Sequence, residues 1–408
     1  MRVAVIGGGV IGTAAAYYLA KAGHAVTVLD RSRHGGGCSH GNCGYVCPSH
    51  VLPLAGPGVL ASTLRALLAR NGPLKVTPGA LFANLGWFLG FARRCNAADQ
   101  LAAAVGIRAL LTSSRTLYDE LLAAEDIPCE WDARGLLFVF QTQKALHHYA
   151  ATDELLTERF ATPADRFDAD ALLALEPALK PGAAAGGYLY RGDAQLRPDR
   201  LMSGWRAVLD RLGVTVRENV SVTALDGRVA TTTAGDVPAD AFVVTTGAEV
   251  GRLALFGRRL PVVPGKGYSL TMPRPAVCPT YPMIFEEHRV AVSPFASGYR
   301  IGSTMEFAGY DERVDVSRLQ LLRDGAAAYL CEPVGEPVEE TWAGLRPMTA
   351  DGLPVIGRSP TRPNVWVAAG HGMLGLSMAT GTGRLVAELV SGVTPHLDPT
   401  AYSPERFR

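Results

Sequence analysis

The chain has 408 residues, with 39 Lys plus Arg against 38 Asp plus Glu, and 48% of it is apolar. That length suits two domains or one domain with a large insertion, and the near-neutral balance excludes the basic signature of a nucleic-acid binder. Seven cysteines without paired CxxC spacing point to reduced thiols in a cytoplasm-like compartment, and neither a signal-peptide pattern nor an apolar run of about twenty residues is present, which excludes a transmembrane helix.

The first thirty residues form one unit. Arg2-Val-Ala-Val-Ile6 is a short apolar run suited to a buried parallel strand. It enters Gly7-Gly-Gly9-Val10-Ile11-Gly12, a helical stretch to Gly23, and a second apolar run, Ala25 to Leu29, ending at Asp30. Strand, glycine turn, helix, strand and acid in that order are the fingerprint of dinucleotide binding. Gly7 permits the tight turn, Gly9 lets backbone N–H groups approach a pyrophosphate, and Gly12 lets the helix pack close to the strand. The helix N-terminus adds partial positive charge, and Asp30 is placed to accept from a ribose. The unit does not choose between dinucleotides.

A glycine-rich loop follows, running from Arg31 through Cys38-Ser39-His40-Gly-Asn42-Cys43-Gly44 to Cys47, Pro48 and His50. Its composition predicts a loop wrapped on a ligand. A zinc reading of Cys38, His40, Cys43, Cys47 and His50 competes, although structural zinc sites usually carry two separated ligand pairs. Residues 53–96 are helical and apolar. Leu60 to Arg70 carries Arg65 and Arg70, and Leu81 to Phe91 carries Trp87, Phe88, Leu89 and Phe91, with Lys75 upstream and Arg93 and Arg94 after it. One reading packs this segment on its own domain; the other rests it on a membrane surface.

Helices are expected at Leu101 to Ala124, Lys144 to Phe160 and Asp199 to Leu212, with a strand at Gly135 to Phe140. Val214 to Val216, Val220 to Val222 and Arg228 to Thr233 are expected as strands of the nucleotide-binding unit. Ala241 to Thr245 is a further buried strand, closing in Thr246-Gly247. From 262 to 340, alternating runs at Tyr268–Thr271, Met283–Phe285, Val290–Val292 and Tyr299–Gly302 predict an antiparallel sheet. Gly370-His371-Gly372 then opens a helix expected from Gly375 to Gly392. The fold class is therefore α/β. A Rossmann-type nucleotide-binding domain is assembled from three segments, 1–52, 194–262 and 340–408. An α+β substrate domain with an antiparallel sheet comes from 53–193 and 263–339.

These motifs, together with Gly192-Asp193-Ala-Gln195, Lys266-Gly-Tyr268-Ser-Leu270 and Gly344-Leu-Arg346-Pro-Met-Thr-Ala-Asp-Gly352, resemble flavoproteins of the D-amino-acid-oxidase superfamily. Within it the chain is most similar to bacterial D-amino acid dehydrogenases of the small-subunit type, along its full length. The resemblance implies FAD, bound covalently or non-covalently depending on the branch, with Gly7, Gly9, Val10, Ile11, Gly12, Asp30 and Arg31 on its ADP half. No cysteine lies from Gly344 to Asp351 and the loop histidines lack an attachment pattern, which predicts non-covalent FAD. Cys38, Ser39, Asn42 and Gly44 would lie near the pyrophosphate and flavin, Val222 at the adenine, and Thr246 and Gly247 at the phosphates. Gly344, Gly370, His371, Gly372, Met373, Leu374 and Gly375 would line the flavin ring. Arg346 would grip the substrate carboxylate, with His371, His40 and Tyr268 as further catalytic candidates. The sulfur-rich loop departs from the family pattern, and no metal is implied.

The expected reaction is dehydrogenation of D-amino acids or cyclic imino acids such as D-proline and hydroxy-D-proline, with hydride passing from Cα to flavin N5. Electrons would go to a quinone or another carrier. An oxygen-using oxidase of the glycine oxidase type, an NAD(P)-dependent reductase and a non-enzymatic nucleotide sensor are the alternatives. The location implied is cytoplasmic, with peripheral contact on the inner face of the cell membrane.

Overall fold

A computed structural model describes residues 1–61, 63, 72–253 and 259–407. Arg65 and Arg70 lie outside the described residues. A six-stranded sheet runs in the order Val355–Arg358, Val365–Ala369, Ala241–Val244, Arg2–Ile6, Ala25–Leu29, Thr215–Arg217. Only Val355–Arg358 is antiparallel to its neighbour. Arg2–Ile6 is central and its last four residues are buried, which explains an apolar run without alternation. Val222–Asp226, Val229–Thr232 and Val237–Pro238 form a separate three-stranded sheet. Of the strands expected in this stretch, only Thr215–Arg217 joins the main sheet. Asn219, at φ +58°, turns the chain away after it.

The second sheet has nine strands. Its order is Glu340–Thr349, Val262–Met272, Gly298–Phe307, Val290–Phe295, Met283–Phe285, Leu136–Phe140, Gly186–Tyr190 and Asp165–Asp168, and Leu74–Val76 also pairs with Gly298–Phe307. It is mixed: Met283–Phe285 lies parallel to Leu136–Phe140, and Leu74–Val76 parallel to Met305–Phe307. Glu340–Thr349 pairs along its length with Val262–Met272, so sheet membership changes after Thr349 and not at the expected boundary of 340. Ten paired residues outweigh proximity in sequence to the last glycine motifs.

Helix Ala97–Glu125 also crosses the expected division. Its stripe of Ala103, Ile107, Leu110, Leu111, Tyr118 and Leu121 belongs to the same hydrophobic cluster as Val3, Val5 and helix Val10–Lys21. Helix Ala379–Ser391 is held between these two helices. A Cβ on Gly383 would fall 2.5 Å from the Ala14 carbonyl carbon, and one on Gly381 would fall 3.1 Å from the Leu110 carbonyl oxygen. This helix starts at Ala379, four residues later than expected, and residues 372–377 reach the cavity as a turn.

Leu85–Arg94 turns its aromatic residues inward, burying Trp87 and partly covering Phe88 and Phe91. Trp87 is 8% exposed, donates to the Met348 carbonyl at 3.1 Å, and stacks on Phe91; Phe88 packs on Phe307. The aromatic cluster is therefore not the exposed patch expected. Leu81, Phe82, Leu85 and Leu89 are exposed instead, Phe82 at 77%. Lys75 is tied to Glu306 and Asp315, each at 3.1 Å. Among the described residues, no helix is long and apolar enough to cross a membrane.

Candidate functional site: a cavity between the two sheets

One cavity of about 1660 Å³ is walled by both sheets, above the roughly 300–1,000 Å³ of a site for one drug-sized ligand. Its first wall is the glycine turn. Gly7 sits at φ +108°, and a Cβ there would lie 2.6 Å from the Thr245 carbonyl oxygen. Gly12 is not on the wall; a Cβ on it would lie 1.9 Å from the Gly7 carbonyl oxygen, so it serves the close packing of helix on strand. Asp30 is on the wall, but its Oδ2 accepts from the Gly8 N–H at 2.6 Å and its Oδ1 from the Ser32 N–H at 2.7 Å. Ser39 Oγ accepts from the Val10 N–H at 3.0 Å, covering the start of the helix. Ile11, Arg31, Val222 and Thr246-Gly247 complete this wall.

The loop from Cys38 to His50 forms the next wall. Buried Arg300 donates to the carbonyls of His40 at 3.0 Å and Asn42 at 2.7 Å. Asn42 Oδ1 accepts from the Gly44 N–H at 2.8 Å, and Gly44, at φ +82°, is packed against the Leu196 carbonyl behind the wall. His40 is turned out of the cavity to Glu340, 2.8 Å away, so it is not placed to act on a ligand there. The loop does not gather its cysteines and histidines. Cys47 contacts Ser377 while His50 contacts Ser49, and among the described residues no three His, Cys, Asp or Glu side chains are grouped to hold a metal.

Arg346 enters from the nine-stranded sheet. A bulge in Gly298–Phe307 lies opposite Gly267, and Ser303 and Thr304 both adopt positive φ there, a strained backbone of the kind found at functional sites. The bulge aims the Thr304 carbonyl at Arg346 Nη1, 2.7 Å away. Gly267 leaves room for the guanidinium, since a Cβ would sit 2.2 Å from its Cζ. Burial pushes the guanidinium pKa down, with the Cys38 and Cys43 thiols opposing; among the described residues no carboxylate pairs with it. Tyr268 lines the cavity, yet its hydroxyl is bonded to Glu306, which also meets Lys266 at 3.3 Å.

His371 lies between Gly370 at φ +79° and Gly372 at φ +55°. The Gly372 N–H donates to the Pro347 carbonyl at 2.9 Å, joining this turn to the Arg346 strand. His371 Nε2 meets Thr382 Oγ1 at 3.0 Å, and burial pushes its pKa down to about 3, leaving the imidazole neutral. Met373, Leu374 and Gly375 line the cavity; Gly370 lies behind it against Thr349.

Several wall residues carry no motif. The Trp342 ring fits between Gly41 and Gly344, where a Cβ on either would fall 2.1 Å from it. Phe138 and Tyr149 form an aromatic lobe. Their sequence signals are a continuous apolar strand and an aromatic residue on a helix, which core residues share.

Thr246 Oγ1, Thr304 Oγ1 and His371 Nδ1 are buried on the cavity wall without a partner among the described residues. Such atoms are costly unless something pairs them, and a flavin dinucleotide carries donors and acceptors at both ends. Residues 2–389 match the family of FAD dependent oxidoreductases. The chain belongs to that family. FAD is therefore its cofactor, not a nicotinamide dinucleotide, and the protein is an oxidoreductase. It is 35% identical to the D-amino acid dehydrogenase of Paramagnetospirillum magneticum and to that of Xanthobacter autotrophicus, covering 100% of this chain and 99% of each relative. The glycine oxidase of Bacillus cereus superposes with a TM-score of 0.76 at 19% identity, covering 96% of this chain and 95% of that one. The L-proline dehydrogenase of P. horikoshii superposes at 0.75 and 18% identity, covering 100% and 97%. These two establish the fold alone.

Proposed function

We propose that this FAD-dependent oxidoreductase dehydrogenates D-amino acids, including cyclic imino acids such as D-proline and hydroxy-D-proline. One observation carries the reading: the half-buried guanidinium of Arg346 lines the cofactor cavity, and among the described residues no carboxylate pairs with it. An unpaired, partly desolvated cation of this kind calls for an anion, and guanidinium matches a carboxylate with two parallel N–H bonds. The full-length likeness to two D-amino acid dehydrogenases supports the stereochemistry. The aromatic lobe of Phe138 and Tyr149 suits an uncharged side chain or ring.

In this reading the six-stranded sheet carries the cofactor side and the nine-stranded sheet the substrate side. The bound flavin supplies a hydride acceptor at N5. Arg346 fixes the carboxylate, and the orphaned Thr246 and His371 atoms meet cofactor donors or acceptors. Neutral His371 leaves the carboxylate to Arg346 alone. FAD is held without a covalent bond: no cysteine lies from Gly344 to Asp351, the loop histidines lack an attachment pattern, and burial pushes the Cys38 and Cys43 thiols up, Cys38 to about 11, away from the nucleophilic thiolate. Acid precipitation should leave the yellow colour in the supernatant; colour in the pellet overturns this point.

Anaerobic mixing with a panel of D- and L-amino acids tests the reaction. Bleaching by D-enantiomers supports it, and bleaching by none refutes it. Electrons pass to a quinone or another carrier, with slow reoxidation by air; equal rates with oxygen and a quinone analogue would instead favour an oxidase of the glycine oxidase type. Peripheral contact with the inner face of the cell membrane now rests on Leu81, Phe82, Leu85 and Leu89 with exposed Arg93. Phe82→Ser with Leu85→Ser should abolish low-salt co-sedimentation with anionic vesicles, and unchanged sedimentation refutes the contact.

A further inference from the structure

Ser49, His50 and Asp193 form a buried polar chain that ends at the cavity. Ser49 Oγ lies 2.5 Å from Asp193 Oδ2 and 3.3 Å from His50 Nδ1, and the Ser49 N–H donates to Asp193 Oδ1 at 3.0 Å. Ser49 and Asp193 are 4% and 1% exposed, and half-buried His50 lines the cavity beside Phe138. A hydroxyl has one proton to donate. An ionised Asp193 can only accept, so the Ser49 proton points to it, and His50 Nδ1–H must then donate to Ser49. That tautomer leaves Nε2 as a bare acceptor on a ring that lines the cavity.

Among the described residues Asp193 has no direct cationic partner. Arg115, from helix Ala97–Glu125, faces it electrostatically while donating its own Nε–H to the Gly192 carbonyl at 3.3 Å. The Cys47 thiol and the Tyr190 hydroxyl also face it. A carboxylate buried this way is expensive, and such groups cluster where protons are handled.

Resting on the amino-acid reading above, we propose that His50 accepts the ammonium proton of the bound substrate and relays it through Ser49 to Asp193. One ammonium N–H bond breaks at the substrate and one forms at His50 Nε2. The Nδ1 proton moves to Ser49 Oγ as the Ser49 proton moves to Asp193 Oδ2. The substrate is left as the neutral amine needed for loss of hydride from Cα, and Asp193 as a neutral acid. An ammonium and a carboxylate are replaced by two uncharged groups, which a low-dielectric cavity favours. Burial pushes the Asp193 pKa up to about 7, outweighing its hydrogen bonds to Ser49 and the attraction of Arg115. Burial likewise pushes His50 down to about 4, so it passes the proton on and does not keep it.

The test is anaerobic flavin reduction by saturating D-alanine or D-proline from pH 6 to 10, in the FAD-loaded protein and its His50→Gln and Asp193→Asn variants. Binding of 2-aminoisobutyrate, which has no Cα hydrogen, is followed in parallel by the flavin spectrum. Each variant should be slowed at least tenfold at pH 7. Each should return to within threefold of the unaltered protein at pH 10 with D-alanine, most of which then arrives as free amine, and recover less with D-proline, the stronger base. 2-Aminoisobutyrate affinity at pH 10 should stay within threefold. The same fold-loss at every pH, or no loss, overturns the relay and leaves the proposed function standing. If His50→Gln fails to fold, Asp193→Asn decides alone. No reduction of the unaltered protein by any amino acid overturns the proposed function and the relay with it.

Discussion

Gly267 and Arg346 act as a pair, because the guanidinium occupies the space that a Cβ on Gly267 would need. Gly267→Ala must displace the arginine head while leaving the glycine turn of the cofactor wall untouched. The expected result is a tenfold or larger rise in KM for amino acids with normal flavin content. Arg346→Ala removes charge-assisted contacts of about 1.5–3 kcal/mol each and should match or exceed that rise; loss of flavin in either variant would mark the pair as structural. Asp193 gives a separate prediction for stability. Its folded-state pKa of about 7 lies above the ordinary 3.8, so its contribution is full below about pH 4 and is lost as pH rises through 7. Asp193→Asn removes that titration. Its unfolding free energy relative to the unaltered protein should climb between pH 4 and 7 by up to roughly 4 kcal/mol at about 1.36 per unit, and a flat difference refutes the shift.

Helix Ala379–Ser391 touches helix Val10–Lys21 through Gly383 and helix Ala97–Glu125 through Gly381, with Ser114 Oγ and Thr380 Oγ1 2.8 Å apart at the second crossing. Backbone stands on the far side at Gly383, so no flexible side chain can yield to an added methyl. Gly383→Ala should cost about 1–3 kcal/mol, the range for overpacking. A urea melt would show it as a lower midpoint at unchanged slope. Helix Val10–Lys21 also presents its start to the cavity, so the same variant should weaken FAD retention.

At the scale of the molecule, the C-terminal turn closes the structure. Arg406 Nε donates to Asp351 Oδ2 at 2.9 Å and Nη2 to the Leu353 carbonyl at 2.7 Å, with Asp351 side-chain exposure of only 5%. Arg406→Ala strands a buried carboxylate and should destabilise the protein by about 3 kcal/mol. Cofactor removal should act on the whole molecule as well, since the cavity is walled by both sheets. Stripping FAD should lower Tm, and adding it back at a hundredfold over its Kd should restore about 2.7 kcal/mol; a Tm indifferent to FAD would contradict the site.

The cofactor half was legible because its physics is local. A buried strand, a tight turn, a helix start and a second strand lie within thirty consecutive residues, and each demands a residue type at a set spacing. Gly7, Gly9, Asp30, Ser39, Thr246 and Arg346 all line one cavity. Whether His40 faces the cavity or Glu340 was not written in its neighbours, because the deciding partner lies 300 residues away. Trp87 illustrates the same limit: a greasy helix with basic flanks reads as a surface patch until Met348 and Phe307 come to cover it. Glu340–Thr349 joined the nine-stranded sheet, and helix Ala97–Glu125 the other core, through partners distant in sequence. The chain of Ser49, His50 and Asp193 exists only because a loop and a turn 144 residues apart are folded together. Local order determines backbone shape, but burial, pairing and protonation depend on whatever the rest of the chain brings alongside.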